Sequence, residues 1–426
     1  MLFLEGLSGI TDEMKILLIT YYFPPCGGAA VQRWLRFIHI LTKKGVQLKV
    51  VTTLDGDYPY QDESLLSDIP SSVKVYRSKP FSFSKLWHFL GQKELPYGSL
   101  QNKKTDSFGK KVLYWLRLNF IVPDIRIGWN PAAYKSALRV LRQDKFDYII
   151  TTGPPHSTHL VGWKLKKRYG IQWRTDFRDP MTEIYYLKLN PPCRFTLALH
   201  RYLEKKIIQN ADLNYIVSEG IASSLPAGKK EVLYNGFDPE DFADISYQRT
   251  EVFRAKYVGQ LTAGQDASPL LRALSRLQLP LLEFFLIGTR DFPATAFPVH
   301  KIPFLPHKEA LRELVNAELL ILIINNYEGN EGMLTTKLFE YIGARTPILC
   351  ISEPKGEAYK LICQTESGFV SNNPEAIADY ISRLYNRFLK GEDLRTKGDI
   401  SFLEVNNQVQ TLLVPPEQKK ESFSKL

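Results

Sequence analysis

Short apolar runs alternate with longer stretches of helical period along most of this chain. From Met14 the order is a strand KILLIT, a loop YYFPPCGGAA, a helix VQRWLRFIHILTKKG and a strand QLKVVTT. Further on come FDYIITT, a helical GPPHSTHLVGWKLKKRYG, IQWRTDF, a helix over about 195–209, then DLNYIVS and EVLYNG. The second half repeats the scheme with AKYVGQL, SPLLRALSRL, LEFFLIGT, HKIPFLP, HKEALRELVNA, ELLILIIN, KLFEYIGA and PILCIS, and closes on helices to about 390. Apolar runs without alternation are strands buried on both faces, and helices of ten or more residues between them mark βαβ units on a parallel sheet. The pattern therefore predicts an α/β protein of two doubly wound, Rossmann-like domains facing a central cleft. The polar NGFDPEDFADISYQRT separates them, which gives a first domain over 14–240, a second over 250–395 and a C-terminal tail over 396–426. In such sheets ligands sit beyond the carboxyl ends of the strands, where the strand order reverses.

Composition adds to this picture in three places. The 426 residues, 44% of them hydrophobic, suffice for two domain cores. Cys26, Cys193, Cys350 and Cys363 are far apart and form no CxxC pair, which argues against a disulfide framework or a zinc site and fits a reducing cytoplasm. Cys350, inside an apolar strand, reads as a small core residue. No run of eighteen uncharged apolar residues exists, and the opening MLFLEGLSGITDEM lacks the basic start and long apolar centre of a signal peptide; it reads as an overcalled start or a loose arm.

Charge is uneven. Residues 1–240 hold 34 basic and 22 acidic side chains, and residues 241–426 hold 21 and 23. A basic half beside a near-neutral one indicates an anionic surface as partner of the first. Residues 80–130 interrupt that half with a basic, aromatic-rich insertion. Its GKKVLYWLRLNFIVP suits either a helix lying in an acidic membrane interface or a helix packed under the first domain. The basic residues are too dispersed for a nucleic-acid site.

The chemistry concentrates in EGNEGMLTTKLFEYIGARTPIL. Its small and polar start, its threonines and the proline before PILCI bound a short helix over 337–344. A helix start offers unpaired N–H groups and partial positive charge to an anion, and Lys337 adds a full charge there. Glu340, one turn further in, accepts hydrogen bonds only, which suits a pair of sugar hydroxyls. Phosphate beside ribose indicates a nucleotide; the plainer alternative is a surface helix with an i,i+3 ion pair. In YVGQLTAGQD, Gly259 and Gly264 repeat a strand–glycine design, and this loop is expected beside the Lys337 helix start. Phe304 and Leu305 in IPFLPHKE are placed to clamp a flat base.

In the first half, Gly27 and Gly28 open the helix after the first strand, with Arg33 behind them, and are assigned to the loop lining the cleft, where glycine lets the backbone approach a ligand. The spacing is not GxGxxG and no acid ends the second strand, which disfavours a nicotinamide enzyme. GPPHSTH and WRTDFRDP end strands with His156 and Asp179, the candidates for proton transfer. Asp179 precedes a proline, which holds its backbone extended. Asp176 and Arg178 fit a structural ion pair, and His159 a buried imidazole.

Taken in order, ITYYFPPCGGAAVQRWLRF, GPPHSTHL, DFRDP, NGFDPEDF, YVGQL and TTKLFEYIGARTPIL resemble the retaining glycosyltransferases of family 4, over nearly the whole chain from Met14 to about Lys390. The resemblance implies the B-type glycosyltransferase fold, a nucleotide-diphospho-sugar as co-substrate in the second domain and an acceptor in the first. It gives Glu340 the donor ribose, and Lys337 with the amides of Thr335, Thr336 and Leu338 the diphosphate. Many relatives carry two glutamates eight apart; here Gly332 holds the first position and Glu331 stands one step before it. The implied reaction is a front-face transfer in which the leaving phosphate takes the acceptor proton. No DxD-like metal clamp is evident, and a helix start with a lysine replaces a divalent ion. The resulting expectation is a cytoplasmic transferase on a lipid-linked or saccharide acceptor, peripheral on the inner membrane face and serving a bacterial surface polysaccharide. A sugar-nucleotide epimerase of the same fold and a non-catalytic basic membrane scaffold are the alternatives.

Overall fold

The structure, a computed structural model, describes residues 14–81, 108–184, 187–188, 190–261, 264–289, 292–295, 297–325, 330–332 and 334–414. The opening arm, residues 82–107 of the insertion and the chain beyond 414 lie outside these residues. The chain forms two compact units. One runs to Tyr234 and takes up the chain again at Val409; the other is Asn235–Gln408.

The first unit is a seven-stranded sheet of β1 (Lys15–Ile19), β2 (Gln47–Thr53), β3 (Lys74–Ser78), β4 (Tyr148–Gly153), β5 (Trp173–Phe177), β6 (Leu213–Ile216) and β7 (Lys230–Val232). All pairings are parallel, in the order β3-β2-β1-β4-β5-β6-β7. The order reverses between β1 and β4, where Ile16 faces Tyr148. Every residue of β4 and β5 is buried, Arg174 and Asp176 included, as strands covered by helices on both faces must be. The helix Ala29–Lys43 buries Val31, Trp34, Leu35, Ile38 and Leu41, a stripe at helical spacing that packs one side of this sheet.

The second unit comprises β8 (Phe253–Val258), β9 (Leu282–Ile287), β10 (Val299–Ile302), β11 (Leu319–Ile323), β12 (Ile348–Ile351) and β13 (Gly368–Ser371). They pair in parallel in the order β10-β9-β8-β11-β12-β13, which reverses between β8 and β11. Its core joins Phe253, Tyr257, Leu286, Ile321 and Leu349 of the sheet to Leu270, Ile377, Ile381 and Phe388 of the helices. Both units are doubly wound, as the periodicity indicates.

The segment set apart as a tail is structured in its described part. Val405–Leu413 is a helix, and its final residues belong with the first unit. There the buried Arg174 guanidinium lies 3.7 Å from the Tyr148 ring centroid. It donates to Tyr215 Oη at 2.7 Å and to the carbonyls of Leu412 at 3.1 Å and Val414 at 3.0 Å. The sequence sets this stretch apart as a tail because nothing local reveals that a buried arginine will cap its carbonyls. The insertion resolves similarly: Phe108–Phe120 is a helix, and the turn Ile125–Trp129 is buried, with Trp129 Nε1 donating to Ser78 Oγ at 3.0 Å.

Candidate active site

At the switch point of the second unit, β8 ends on Val258 and turns at Gly259, whose φ of +101° only glycine adopts without strain. The helix Thr336–Gly343 leaves β11 opposite this turn. Its N-cap is Thr335, whose Oγ1 accepts from the Lys337 amide at 3.1 Å. Tyr341, buried one turn on, accepts from the Val258 amide at 3.2 Å and so fixes the helix start against β8. The Lys337 side chain folds over the glycine turn. Its Nζ lies 3.5 Å from both Tyr257 Oη and the Gln260 carbonyl, and 4.7 Å from the Tyr257 ring centroid. A Cβ added at Gly259 would meet Nζ at 2.6 Å, so the glycine admits the lysine. Burial pulls the ammonium pKa down to about 8, and the Glu340 carboxylate opposes that shift.

Gly288 (φ +70°) ends β9 in the same manner and faces Gly259, 4.0 Å separating its virtual Cβ from the Gly259 Cα. Gln260 Nε2 donates to the Gly288 carbonyl, and Thr289 Oγ1 donates to the Gly259 carbonyl at 2.7 Å. Beyond these turns opens a hollow of about 420 Å³ lined by Gln260, Gly288, Thr289, Ile302, Pro303 and Phe304. Phe304 is 82% exposed at its rim. Leu305, its neighbour in the expected clamp, does not line it. Sequence reasoning missed Gln260 and Thr289, although LIGT repeats the strand–glycine signal already read in YVGQ.

The helix start also corrects the set of free amides. The Leu338 amide donates to the Thr335 carbonyl at 3.1 Å and its side chain is buried, so it is part of the helix frame. The amides of Thr335 and Thr336 carry no hydrogen bond among the described residues. Glu331 stands in the turn Asn330–Gly332 with Lys355 Nζ 3.4 Å from its carboxylate, an exposed ion pair.

The matching helix start in the first unit is closed. Asp124, from the end of the insertion, accepts from Ser157 N at 2.7 Å and from Ser157 Oγ at 2.7 Å, filling the N-terminus of Ser157–Tyr169 with a carboxylate. His156 precedes that helix, buried and stacked 5.3 Å from the Phe177 ring, with neither ring nitrogen hydrogen-bonded among the described residues. Burial, with His159, Arg178 and His200 nearby, holds its pKa well below 6.5. The imidazole is therefore neutral and offers a hydrogen bond rather than an imidazolium proton. Asp179 leaves the adjacent strand end; burial raises its carboxyl pKa and Arg178 works against the rise, a direction that makes it a better base. Glu204 anchors the next residues, accepting from Met181 N at 2.9 Å, Thr182 N at 3.1 Å and Thr182 Oγ1 at 2.6 Å.

Arg33 is displaced from the role expected for it. Its guanidinium is buried, donating to Asp176 Oδ1 at 3.0 Å and to the Leu233 carbonyl at 2.8 Å. Helical periodicity turns position 33 inward, and burial demanded the partner that Asp176 supplies. Gly27 and Gly28 do form the turn into Ala29–Lys43, with Gly28 at φ +112°. The Tyr60 ring covers Gly27, where a Cβ would meet it at 2.1 Å.

No protein-family model matches the chain, and no curated protein sequence matches it. Solved structures do. A glycosyltransferase from Rickettsia africae aligns at 12% identity over 96% of this chain and 98% of its own, with a TM-score of 0.60. The sucrose-phosphate synthase of Thermosynechococcus elongatus aligns at 13% identity over 97% and 98%, TM-score 0.57. Anabaena HepE, solved in complex with UDP, aligns at 14% identity over 97% and 100%, TM-score 0.55. With its two parallel α/β sheets of seven and six strands, the chain has the GT-B fold of these proteins.

Proposed function

We propose that the chain is a glycosyltransferase that moves a sugar from a nucleotide-diphospho-sugar to a lipid-linked or saccharide acceptor, with retention of configuration and without a metal. The second unit holds the donor and the first the acceptor, and the setting is bacterial surface-polysaccharide assembly at the cytoplasmic membrane face. The observation that carries the donor assignment is Lys337 folded over Gly259 beside a helix start whose first amides are open. The equivalent start in the first unit already holds Asp124. The fold likeness supports the reading, and HepE was also solved with UDP-glucose.

In this reading the diphosphate lies against the amides of Thr335 and Thr336 and Lys337 Nζ, Glu340 accepts from the ribose hydroxyls, and the hollow beside Phe304 takes the base. The leaving diphosphate gains charge as the sugar–oxygen bond breaks. Fixed amides and an ammonium at that point favour the transition state over the ground state. The acceptor hydroxyl attacks on the leaving-group face and gives its proton to the departing phosphate, with His156 and Asp179 as the protein groups nearest in kind to assist.

A thermal-shift screen against nucleotide sugars tests this. The matching donor at about 100 times its Kd is expected to stabilise the protein by about 2.7 kcal/mol. Glu340→Ala is expected to lose most of that shift. A flat response across uridine, guanosine, adenosine and thymidine diphospho-sugars would remove the donor site. An unchanged shift in Glu340→Ala would remove the ribose assignment.

A further inference from the structure

We propose that the outer faces of the helices Phe108–Phe120 and Arg194–Asn210 form one docking surface for an anionic lipid bilayer. The helices are fastened end to end: Asn119 Oδ1 accepts from Cys193 N at 2.7 Å, and Thr196 Oγ1 donates to the Asn119 carbonyl at 3.0 Å. Phe120 and Phe195 flank this joint, 73% and 78% exposed. Trp115 meets Phe120 edge-on at 6.0 Å and is 53% exposed, with Leu116 also outward. Tyr202 continues the stripe two turns beyond Phe195.

Cations frame these side chains. Lys111 is exposed on the first helix, and Arg194, Arg201 and Lys205 are exposed on the second. The first helix contains no acid, and the only acid of the second, Glu204, is buried under Met181 and Thr182. The exposed sides of both helices thus pair large apolar groups with positive charge alone. A bilayer with acidic headgroups satisfies both: aromatic rings enter the headgroup–acyl boundary while Lys and Arg reach the phosphates. A nucleic acid would match the charge but has no apolar layer for Leu116 and Phe120. Among the described residues no helix is long and apolar enough to cross a membrane, so the contact is with the surface. The inference deepens the lipid-linked acceptor of the proposed function and in that respect rests on it, while the contact itself stands on these side chains.

Co-sedimentation with vesicles tests it, using phosphatidylcholine alone and phosphatidylcholine with about one third phosphatidylglycerol. The intact chain is expected to bind the acidic vesicles, not the neutral ones, and to be released by salt. The double variant Arg201→Glu/Lys205→Glu is expected to bind at least about tenfold more weakly, since each cation near such a surface is worth a factor of about five. Phe120→Ala/Phe195→Ala is expected to weaken binding severalfold without restoring it at low salt. Equal binding to both vesicles, no binding to either, wild-type binding by the charge variant, or binding of duplex DNA in place of vesicles would overturn the surface. Nucleotide-sugar titrations on the same proteins separate this outcome from the transferase reading, because all four substituted residues are surface side chains of the first unit.

Discussion

Lys337→Ala is expected to lower sugar transfer by about 10²–10³-fold while leaving the folded protein at least as stable as before. The lysine is partly buried over the Tyr257 ring, and its pKa of about 8 records that the fold disfavours its charge. In the proposed site this cation serves the diphosphate; its removal relieves the desolvation that outweighs the opposing Glu340 charge and gives up only long, 3.5 Å contacts to Tyr257 and Gln260. The pH dependence follows with a definite sign. Below about pH 8 the ammonium is charged and, in the proposed site, is expected to attract the diphosphate; as pH rises through 8 it loses its proton and donor affinity is expected to fall. The unfolded chain keeps that proton to about 10.4, so between these values the unfolded state binds more protons and this group makes stability rise with pH. Donor KM measured from pH 6 to 10 is expected to climb above about 8 in the wild type and to stay flat in Lys337→Ala. Full transfer activity in the variant would place the diphosphate elsewhere.

Asp176→Ala is expected to cost about 3–5 kcal/mol in the first unit, the largest stability effect here. Asp176 is fully buried, and its carboxylate accepts from Arg33 Nη2 at 3.0 Å, Trp34 Nε1 at 2.9 Å and Thr152 Oγ1 at 2.8 Å. Its loss takes the Asp176 counter-charge from a buried guanidinium and leaves the Trp34 and Thr152 donors without their acceptor. Urea unfolding followed by tryptophan fluorescence reads this directly, because Trp34 and Trp173 are buried in the same unit. The companion Asp176→Leu/Arg33→Met is expected to recover a good part of the loss, since removing both charges also removes their desolvation. A double variant no more stable than Asp176→Ala would show that the hydrogen bonds to Trp34 and Thr152 matter more than the charge.

The order of strands and helices was legible in the chain because burial on both faces of a parallel sheet requires unbroken apolar runs such as LLILI and ILCI. The helix start capped by Thr335 and the turn at Gly259 were legible for a related reason. Helix caps and glycine turns are local, so a few adjacent residues specify them, and the doubly wound order then fixes which strand ends adjoin.

Residue identity alone could not assign Arg33, Glu331 or Leu338. Whether a guanidinium faces a ligand or a buried carboxylate 143 positions away depends on a contact that no local pattern encodes. The same holds for Asp124 closing one helix start while its counterpart stays open, and for the closing helix held by Arg174. What the sequence by itself determined was therefore the architecture and the chemical character of one turn in the second unit. Which polar groups remain free to act was decided only by tertiary packing, because an unpaired buried charge is too costly to persist and long-range partners claim it first.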